Sequence, residues 1–394
     1  MGQIGRLISD FVKKADMILL MLCTVATIFG IVIISSATAT IGNSRYVTVQ
    51  SIALLLGIMI YVILTLIDVD IIAERRELLL IFCVLFIGVL YFWGVDNGSG
   101  NRSWLEVPLV GIDVQPAEIC KIFFIIILAK IMSVNQNSLS SPLNVGKMGI
   151  LTMFFFAFIV VVSDDAGVAL TYVFIFISMA FVGGVSMIWF LLAIGALLIA
   201  VPVLWNIQLP NGESLIGEYQ KNRILMLFDP SIDPDGTGVR YQTKLSLRYI
   251  QNGGVSGQGL YEGSMVKGNS MPAQHTDFIF SAIAEELGML GCVVVLLLLT
   301  AIVVRCIYVG IKSTNYMNRM ICAGIAGMLL FQIVINVGMC LGVMPVIGLT
   351  LPFISYGGSS IVTMFMAMGV VSGIHMRPAP DGTARYIRPK ANSM

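Results

Sequence analysis

A chain of 394 residues that is 57% hydrophobic and only 11% charged is not a water-soluble domain, since those carry about 25% charged residues. The net charge of +1 excludes polyanion binding as an organising theme, and no loop resembles a nucleic-acid-binding surface. What remains is an all-α, polytopic membrane protein with membrane lipids as neighbours and no nucleic acid among its partners. The seven cysteines (Cys23, Cys83, Cys120, Cys292, Cys306, Cys322, Cys340) lie in or beside apolar runs and form no CxxC pair. They read as small hydrophobes packed among helices, not as metal or disulfide chemistry.

The N-terminus has the basic residues of a secretory signal (Arg6, Lys13, Lys14) and small residues at Ala37-Thr38-Ala39. Its apolar core, Met17 to Ile34, is longer than the roughly 7–15 residues of a cleaved signal, so it reads as the first membrane helix. A crossing needs about 20 mostly apolar residues. Ten stretches qualify, at 17–37, 47–67, 78–95, 116–134, 148–163, 167–183, 186–205, 277–304, 320–341 and 351–374. Asp164-Asp165-Ala166-Gly167 and Gly183-Gly184-Val185 leave no room between successive spans except for tight hairpins.

Ten crossings put both termini on one side, and basic residues favour the cytoplasm. With the N-terminus inside, the inner segments hold Arg6, Lys13, Lys14, Arg75, Arg76, Lys130, Lys147, Arg305, Lys312, Arg319, Arg377, Arg385, Arg388 and Lys390. The short outer loops hold only Arg45 and Arg102. The expected layout is one membrane domain over 1–394. It has a long extracytoplasmic loop, 206–276, between the seventh and eighth helices and a cytoplasmic tail, 375–394. No tandem repeat or convincing match between halves appears, which counts against an inverted-repeat transporter.

Within the long loop, Asp229-Pro230 and Asp233-Pro234-Asp235-Gly236 mark turns. The stretch from Tyr241 to Ile250 suits an amphipathic interfacial helix. Leu245, Leu247 and Ile250 would lie on the bilayer while Lys244 and Arg248, four apart, reach towards phosphates; a solvated charged helix is the other reading. Asn252 to Gly259 holds four glycines without P-loop or dinucleotide spacing, so it reads as flexible backbone near a substrate entrance. The loop closes on Met271-Pro272-Ala273-Gln274-His275-Thr276-Asp277-Phe278-Ile279-Phe280. A carboxylate at the mouth of a membrane helix is costly to place, which makes Asp277 a candidate catalytic base. Two residues away, His275 reads as a positioning residue on the solvent side of the turn. Counting about 100° per residue, Glu285 falls within about 80° of Asp277 and is expected to share its cavity, while Glu286 meets another helix.

The fourth span opens Gln115-Pro116-Ala117-Glu118-Ile119-Cys120-Lys121. Proline suits a first helical turn, and Glu118 and Lys121 share a face at i, i+3. They read either as a structural ion pair or as a polar floor with Lys121 facing a diphosphate. Asp165 has three open readings: a divalent-metal ligand, a partner of Lys121, or a solvated turn. Arg102 and Trp104, in Asn101-Arg102-Ser103-Trp104, suit sugar stacking beside a phosphate and equally suit interfacial anchoring. Arg223 opens a short apolar run ending at Asp229-Pro230. Pro345 to Ser360 breaks what would otherwise be helix, and irregular backbone at that depth must line a cavity or pack on the site.

Six of these stretches in order resemble the SEDS (RodA/FtsW/SpoVE) family of bacterial cell-wall polymerases over nearly the whole chain. They are the tryptophan loop, Gln115-Pro116-Ala117-Glu118 with Lys121, Asp165-Ala166-Gly167, the Asp229-Pro230 segment, Gln274 to Phe280 with Glu285-Glu286, and Pro352-Phe353-Ile354-Ser355-Tyr356-Gly357-Gly358-Ser359-Ser360. Val168 and Ile347 depart from the threonines often found there. The His-Thr-Asp wording is closer to the RodA branch.

The resemblance implies a peptidoglycan glycosyltransferase at the outer face of the bacterial cytoplasmic membrane. Lipid II would be its substrate, undecaprenyl diphosphate its leaving carrier, and a class B penicillin-binding protein its partner. It implies catalysis by Asp277, with Trp104, Glu118, Lys121, Asp165 and Arg223 lining or supporting the cavity. Arg102, Lys244, Arg248, His275, Glu285 and Ser355 complete the expected substrate-binding set. No cofactor is assigned with certainty, and a divalent cation (magnesium or manganese) stays open for holding diphosphate charge. A lipid II flippase, a non-catalytic scaffold and a division- or sporulation-specific polymerase are the rival readings.

Overall fold

A computed structural model describes residues 11–42, 44–95, 102–107, 112–207, 218–226, 229, 233, 238 and 240–377. Asn101, Pro230, Pro234-Asp235-Gly236 and the tail from 378 onward lie outside the described residues. The long helices are α1 (Met17–Ala37), α2 (Arg45–Leu66), α4 (Arg76–Gly88, continued by Leu90–Trp93), α5 (Pro116–Val134), α6 (Pro142–Ser163), α7 (Ala166–Gly183), α8 (Met187–Asn206), α12 (Ile279–Lys312), α13 (Tyr316–Cys340) and α14 (Gly358–Met376). Shorter elements are α3 (Val69–Glu74), α9 (Glu218–Leu225), α10 (Tyr241–Gly253), α11 (Ser264–Lys267) and the hairpin β1 (Leu105–Val107)–β2 (Ile112–Val114), paired antiparallel.

Among the described residues nine helices are long and apolar enough to cross a membrane. The expected fourth span, α5, is not one of them: its 19 residues carry Glu118, Lys121 and Lys130, too much charge for composition alone to mark it. Several boundaries also differ from the sequence reading, two of them for a visible local reason. The fifth span begins at Pro142, because Ser141 caps it by accepting the Asn144 N–H. The last begins at Gly358, because 345–357 stays irregular.

Charge placement organises the bundle. Helix α5 runs through its middle, packed by α4, α7, α13 and α14, and buries most of its length. At one end Asp16 caps α1, pairs with Arg305 of α12 at 2.8 Å and accepts the Tyr61 hydroxyl of α2 on its carbonyl at 2.7 Å; its own N–H donates to Ser372 of α14. Helices α2 and α14 interlock closely: a Cβ on Gly57 would lie 2.8 Å from the Phe365 ring, and one on Gly369 2.9 Å from Tyr61. Helix α8 stands apart, with none of its residues buried.

Helix α12 has 34 residues, about 51 Å at 1.5 Å per residue, against a hydrocarbon layer of about 30 Å. It breaks at Gly288 (φ 67°, ψ −166°). The backbone groups around the break pair with the glycine-rich run: Met289 N–H to Gly254 O, Leu290 N–H to Val255 O, Gln258 N–H to Glu285 O and Gly259 N–H to Glu286 O. A Cβ on Gly253 would lie 1.7 Å from the Ala284 oxygen, and one on Gly257 2.2 Å from that of Glu286. This corrects the reading of these glycines as a flexible entrance. They are a fitted plug that satisfies backbone a helix break would leave bare.

Candidate active site

The end of the bundle opposite Asp16 gathers the sequence motifs. The Ser103 hydroxyl donates to the Ser163 carbonyl at 2.9 Å, which docks the tryptophan loop on the α6–α7 turn. Trp104 is half-buried there, bridged to Val95. Arg102 is exposed. In the turn itself Asp164 adopts a left-handed conformation (φ 57°) and faces solvent, so the two adjacent carboxylates diverge. Asp165 turns inward: one oxygen caps α7 by accepting the Val168 N–H at 2.9 Å, and the other accepts the Gln115 amide at 2.9 Å.

Gln115 leads into α5, where Lys121 and Glu118 form a 2.6 Å ion pair with both side chains buried. Desolvating two charges is repaid only by such short, direct geometry. The second Glu118 oxygen is buried without a hydrogen-bond partner among the described residues.

Asp277 lies just before α12, and its position is set through its backbone. Its carbonyl accepts the Asn336 amide of α13 at 2.8 Å, and the same amide bonds Leu349 O at 2.7 Å, tying the 345–357 segment to the aspartate. Ser355 adds a second tie: its hydroxyl donates to Thr276 O at 2.7 Å and accepts the Leu351 N–H. Gly348, at φ 71°, leaves room beside the carboxylate, 3.6 Å from where a Cβ would stand. Arg223 of α9 donates to Val346 O at 2.8 Å and so holds the same segment from the other side.

Burial raises Asp277 to a pKa of about 6; the Asp165 charge adds to the rise, while Arg223 and a Thr276 hydrogen bond oppose it. Asp165 is also raised to about 6, first by burial, with the Val168 N–H opposing, Glu118 raising it and Lys121 lowering it. Asp277, Asp165 and Arg223 thus form one electrostatic unit, with the α5 ion pair beneath it.

Four expected site residues stand elsewhere. Glu285 does not share the Asp277 recess: it accepts the backbone N–H groups of Met265 and Val266 and holds α11. The angular count failed because Asp277 precedes the first helical residue, Ile279, so helical spacing does not apply across it. Glu286 meets Ser36 of α1 and the Tyr261 N–H, as a residue on another face of the helix should.

Lys244 and Arg248 lie on the exposed face of α10. Its other face (Leu245, Ser246, Tyr249, Gly253) is buried, so Leu245 packs into the protein and not onto the bilayer. His275 is not on the solvent side. Its ring packs 4.7 Å from Tyr46 and 5.6 Å from Tyr356, with Nδ1 buried and unpartnered among the described residues, and burial pushes its pKa down.

The sequence reading missed three polar side chains. Asn336 was detectable as an amide, one turn after Gln332, in an otherwise apolar stretch of helix. Gln115 and Gln274 sat inside quoted motifs without a role. The Gln274 amide reaches Ala37 O at 2.7 Å and Val266 O, and its oxygen accepts the Tyr249 hydroxyl. It thereby pins the segment three residues before Asp277 to α1, α10 and α11.

Among the described residues no group of three or more His, Cys, Asp and Glu side chains is gathered as for a metal. Magnesium typically binds one or two carboxylates plus substrate phosphates. Asp165 and Asp277 fit that role for an ion arriving with a diphosphate.

A family model described as "Cell cycle protein" (FtsW/RodA/SpoVE) matches residues 16–379. Peptidoglycan glycosyltransferase MrdB of Escherichia coli K12 is 28% identical over 81% of this chain and 83% of its own length. Stage V sporulation protein E of Bacillus subtilis is 30% identical over 91% and 96%. These two identities do not separate the branches. A solved structure, described as "Structural coordination of polymerization and crosslinking by a peptidoglycan synthase complex", matches at TM-score 0.76 and 28% identity, over 92% of this chain and 97% of that one. By family match, sequence and fold, the chain belongs to the FtsW/RodA/SpoVE (SEDS) family.

Proposed function

We propose that the chain is a peptidoglycan glycosyltransferase that polymerises lipid II, with Asp277 as general base. The observation that carries this reading is the carboxylate of Asp277, its backbone tied to α13 and to the 345–357 segment and its pKa raised to about 6. A base whose pKa lies near the working pH is ionised there and still basic enough to accept a proton.

In this reaction Asp277 takes the proton of the 4-hydroxyl of the lipid II N-acetylglucosamine. That oxygen forms a bond to C1 of the N-acetylmuramic acid at the end of the growing glycan. The bond from C1 to the diphosphate breaks, and undecaprenyl diphosphate leaves with the electron pair. A single displacement inverts the anomeric centre and gives a β-1,4 link. Arg223 is the cation best suited to the leaving diphosphate, since Lys121 is buried and already paired with Glu118. Asp165 and Asp277 are the carboxylates that would hold a divalent cation, which would supply further neutralisation of diphosphate charge.

Ten crossings follow if α5 is counted with the nine apolar helices, because its charges are paired or lie near its ends. The basic-residue bias then puts both termini in the cytoplasm and Asp277 on the outer face. A class B penicillin-binding protein is the proposed partner; the similarity to a chain described within a polymerising and crosslinking complex supports it. Elongation and shape maintenance, over division or sporulation, rest on the His275–Asp277 wording.

The test is lipid II polymerisation by purified protein in detergent. Asp277→Asn should lose about 10²–10⁴-fold in rate while melting normally. Normal polymer from the variant would remove Asp277 as base. No polymer from the unaltered protein, together with lipid II translocation in vesicles, would favour the flippase. An EDTA arm reads metal dependence.

A further inference from the structure

Helix α10 presents two faces with different work. The inward face is fixed: the Ser246 hydroxyl lies 2.6 Å from the Ser281 hydroxyl in the first turn of α12 and 2.6 Å from Cys340 O. The helix therefore lies level with the start of a membrane span, at headgroup depth. On the outward face Arg240, Thr243, Lys244, Leu247, Arg248 and Gln251 line a cavity of about 220 Å³.

Arg240, Lys244 and Arg248 recur every fourth residue, so each is displaced by only about 40° from the last and all three cations crowd one stripe. Like charges at that spacing repel. Asp233 caps the approach to the helix, one of its oxygens accepting the backbone N–H groups of Gly238 and Arg240. The Thr243 hydroxyl is buried with no hydrogen-bond partner among the described residues. Gln251 brings an amide donor, and Leu247, 37% exposed, puts an apolar surface beside the charges.

We propose that this pocket binds the phosphate of a membrane lipid, with the lipid chain lying along Leu247. Cations on an interfacial helix, an unmet hydroxyl and an adjoining apolar side chain match the chemistry of an anionic headgroup and its tail. The site is separate from the Asp277 recess but mechanically joined to it. Ser246 bonds the carbonyl of Cys340, whose sulfur lies 3.9 Å from the Asp277 carbonyl. The same chemistry is offered by a phospholipid and by the polyprenyl diphosphate carrier. The proposal does not depend on glycosyl transfer.

Native mass spectrometry of the purified full-length protein tests it, with phosphatidylglycerol, phosphatidylcholine and undecaprenyl diphosphate as separate probes. Lys244→Gln/Arg248→Gln should weaken binding by about fivefold per cation removed, with an unchanged melting temperature. Arg248→Gln alone, at an exposed position, decides the matter if the double variant does not fold. Selective loss of phosphatidylglycerol identifies a phospholipid site, and selective loss of undecaprenyl diphosphate identifies a carrier site. Equal lipid retention by variant and unaltered protein, or no retention by either, overturns the proposal. Because no turnover is read, a failure of the catalytic assignment at Asp277 leaves this result intact, and the converse also holds.

Discussion

Helices α5 and α8 are nearly the same length, 19 and 20 residues, and live in opposite surroundings. Helix α5 carries the buried pair Glu118 and Lys121 and touches five other long helices. Helix α8 carries no charge and buries no residue. In water the apolar helix would be the one inside. In a bilayer lipid tails are as apolar as leucine, so hydrophobicity does not drive α8 inward. Charge does drive α5 inward, because only protein offers it a partner there.

The comparison is broken most severely by splitting the α5 pair. Glu118→Gln or Lys121→Met alone leaves one buried charge uncompensated and should cost about 3–5 kcal/mol. The double variant should recover most of that loss, while polymerisation stays impaired if the pair sets the field at Asp165. Thermal unfolding in detergent, read beside the activity assay, separates these outcomes. An equal melting temperature for all three variants would mean that the pair is not buried in the membrane.

Next in size is the reverse experiment on α8. Leu198, 70% exposed, should face lipid, so Leu198→Lys should cost about 3 kcal/mol of insertion. Membrane yield against a Leu198→Ala control measures it. Packing gives a matched pair: Phe124→Ala in α5 should lower stability by about 3–5 kcal/mol, whereas Leu198→Ala should stay within about 0.5 kcal/mol.

The smallest effect concerns what α5 does for the site. As the proposed base Asp277 must be ionised, so the rate should be level above pH about 6 and fall about tenfold per unit below it. Asp165→Asn keeps the α7 cap, since asparagine also caps, but removes a negative charge that raises Asp277. Its acid limb should shift to lower pH, by less than one unit on the order expected for a minor charge term. A shift to higher pH would contradict the electrostatic grouping of the two aspartates.

Local chemistry was legible wherever a residue announces its own surroundings. Pro116 and Glu118 marked the start of α5, and nine of the ten expected runs fall on helices apolar enough to cross a membrane among the described residues, with the start of the fifth shifted to Ser141 and Pro142. Asp277 stood out as a carboxylate at a helix mouth. Two readings failed for one shared reason: they extrapolated helix geometry or loop softness across positions where the backbone changes course. Glu285 was counted from a residue outside the helix. The Asn252–Gly259 glycines looked mobile, and only the break at Gly288 shows what they fill. Leu245 looked like a membrane anchor because an amphipathic helix has the same pattern whether its apolar face meets lipid or α12.

The sequence by itself determined how many long apolar segments the chain has, where its charges interrupt them and which family it joins, because these depend on residue type and order. Tertiary structure decided which segments face lipid and which face protein, and which polar groups converge on Asp277. A bilayer and a protein interior are equally apolar to a leucine. Only the meeting of partners such as Lys121 with Glu118, Gln115 with Asp165 and Asn336 with the Asp277 carbonyl tells the two apart.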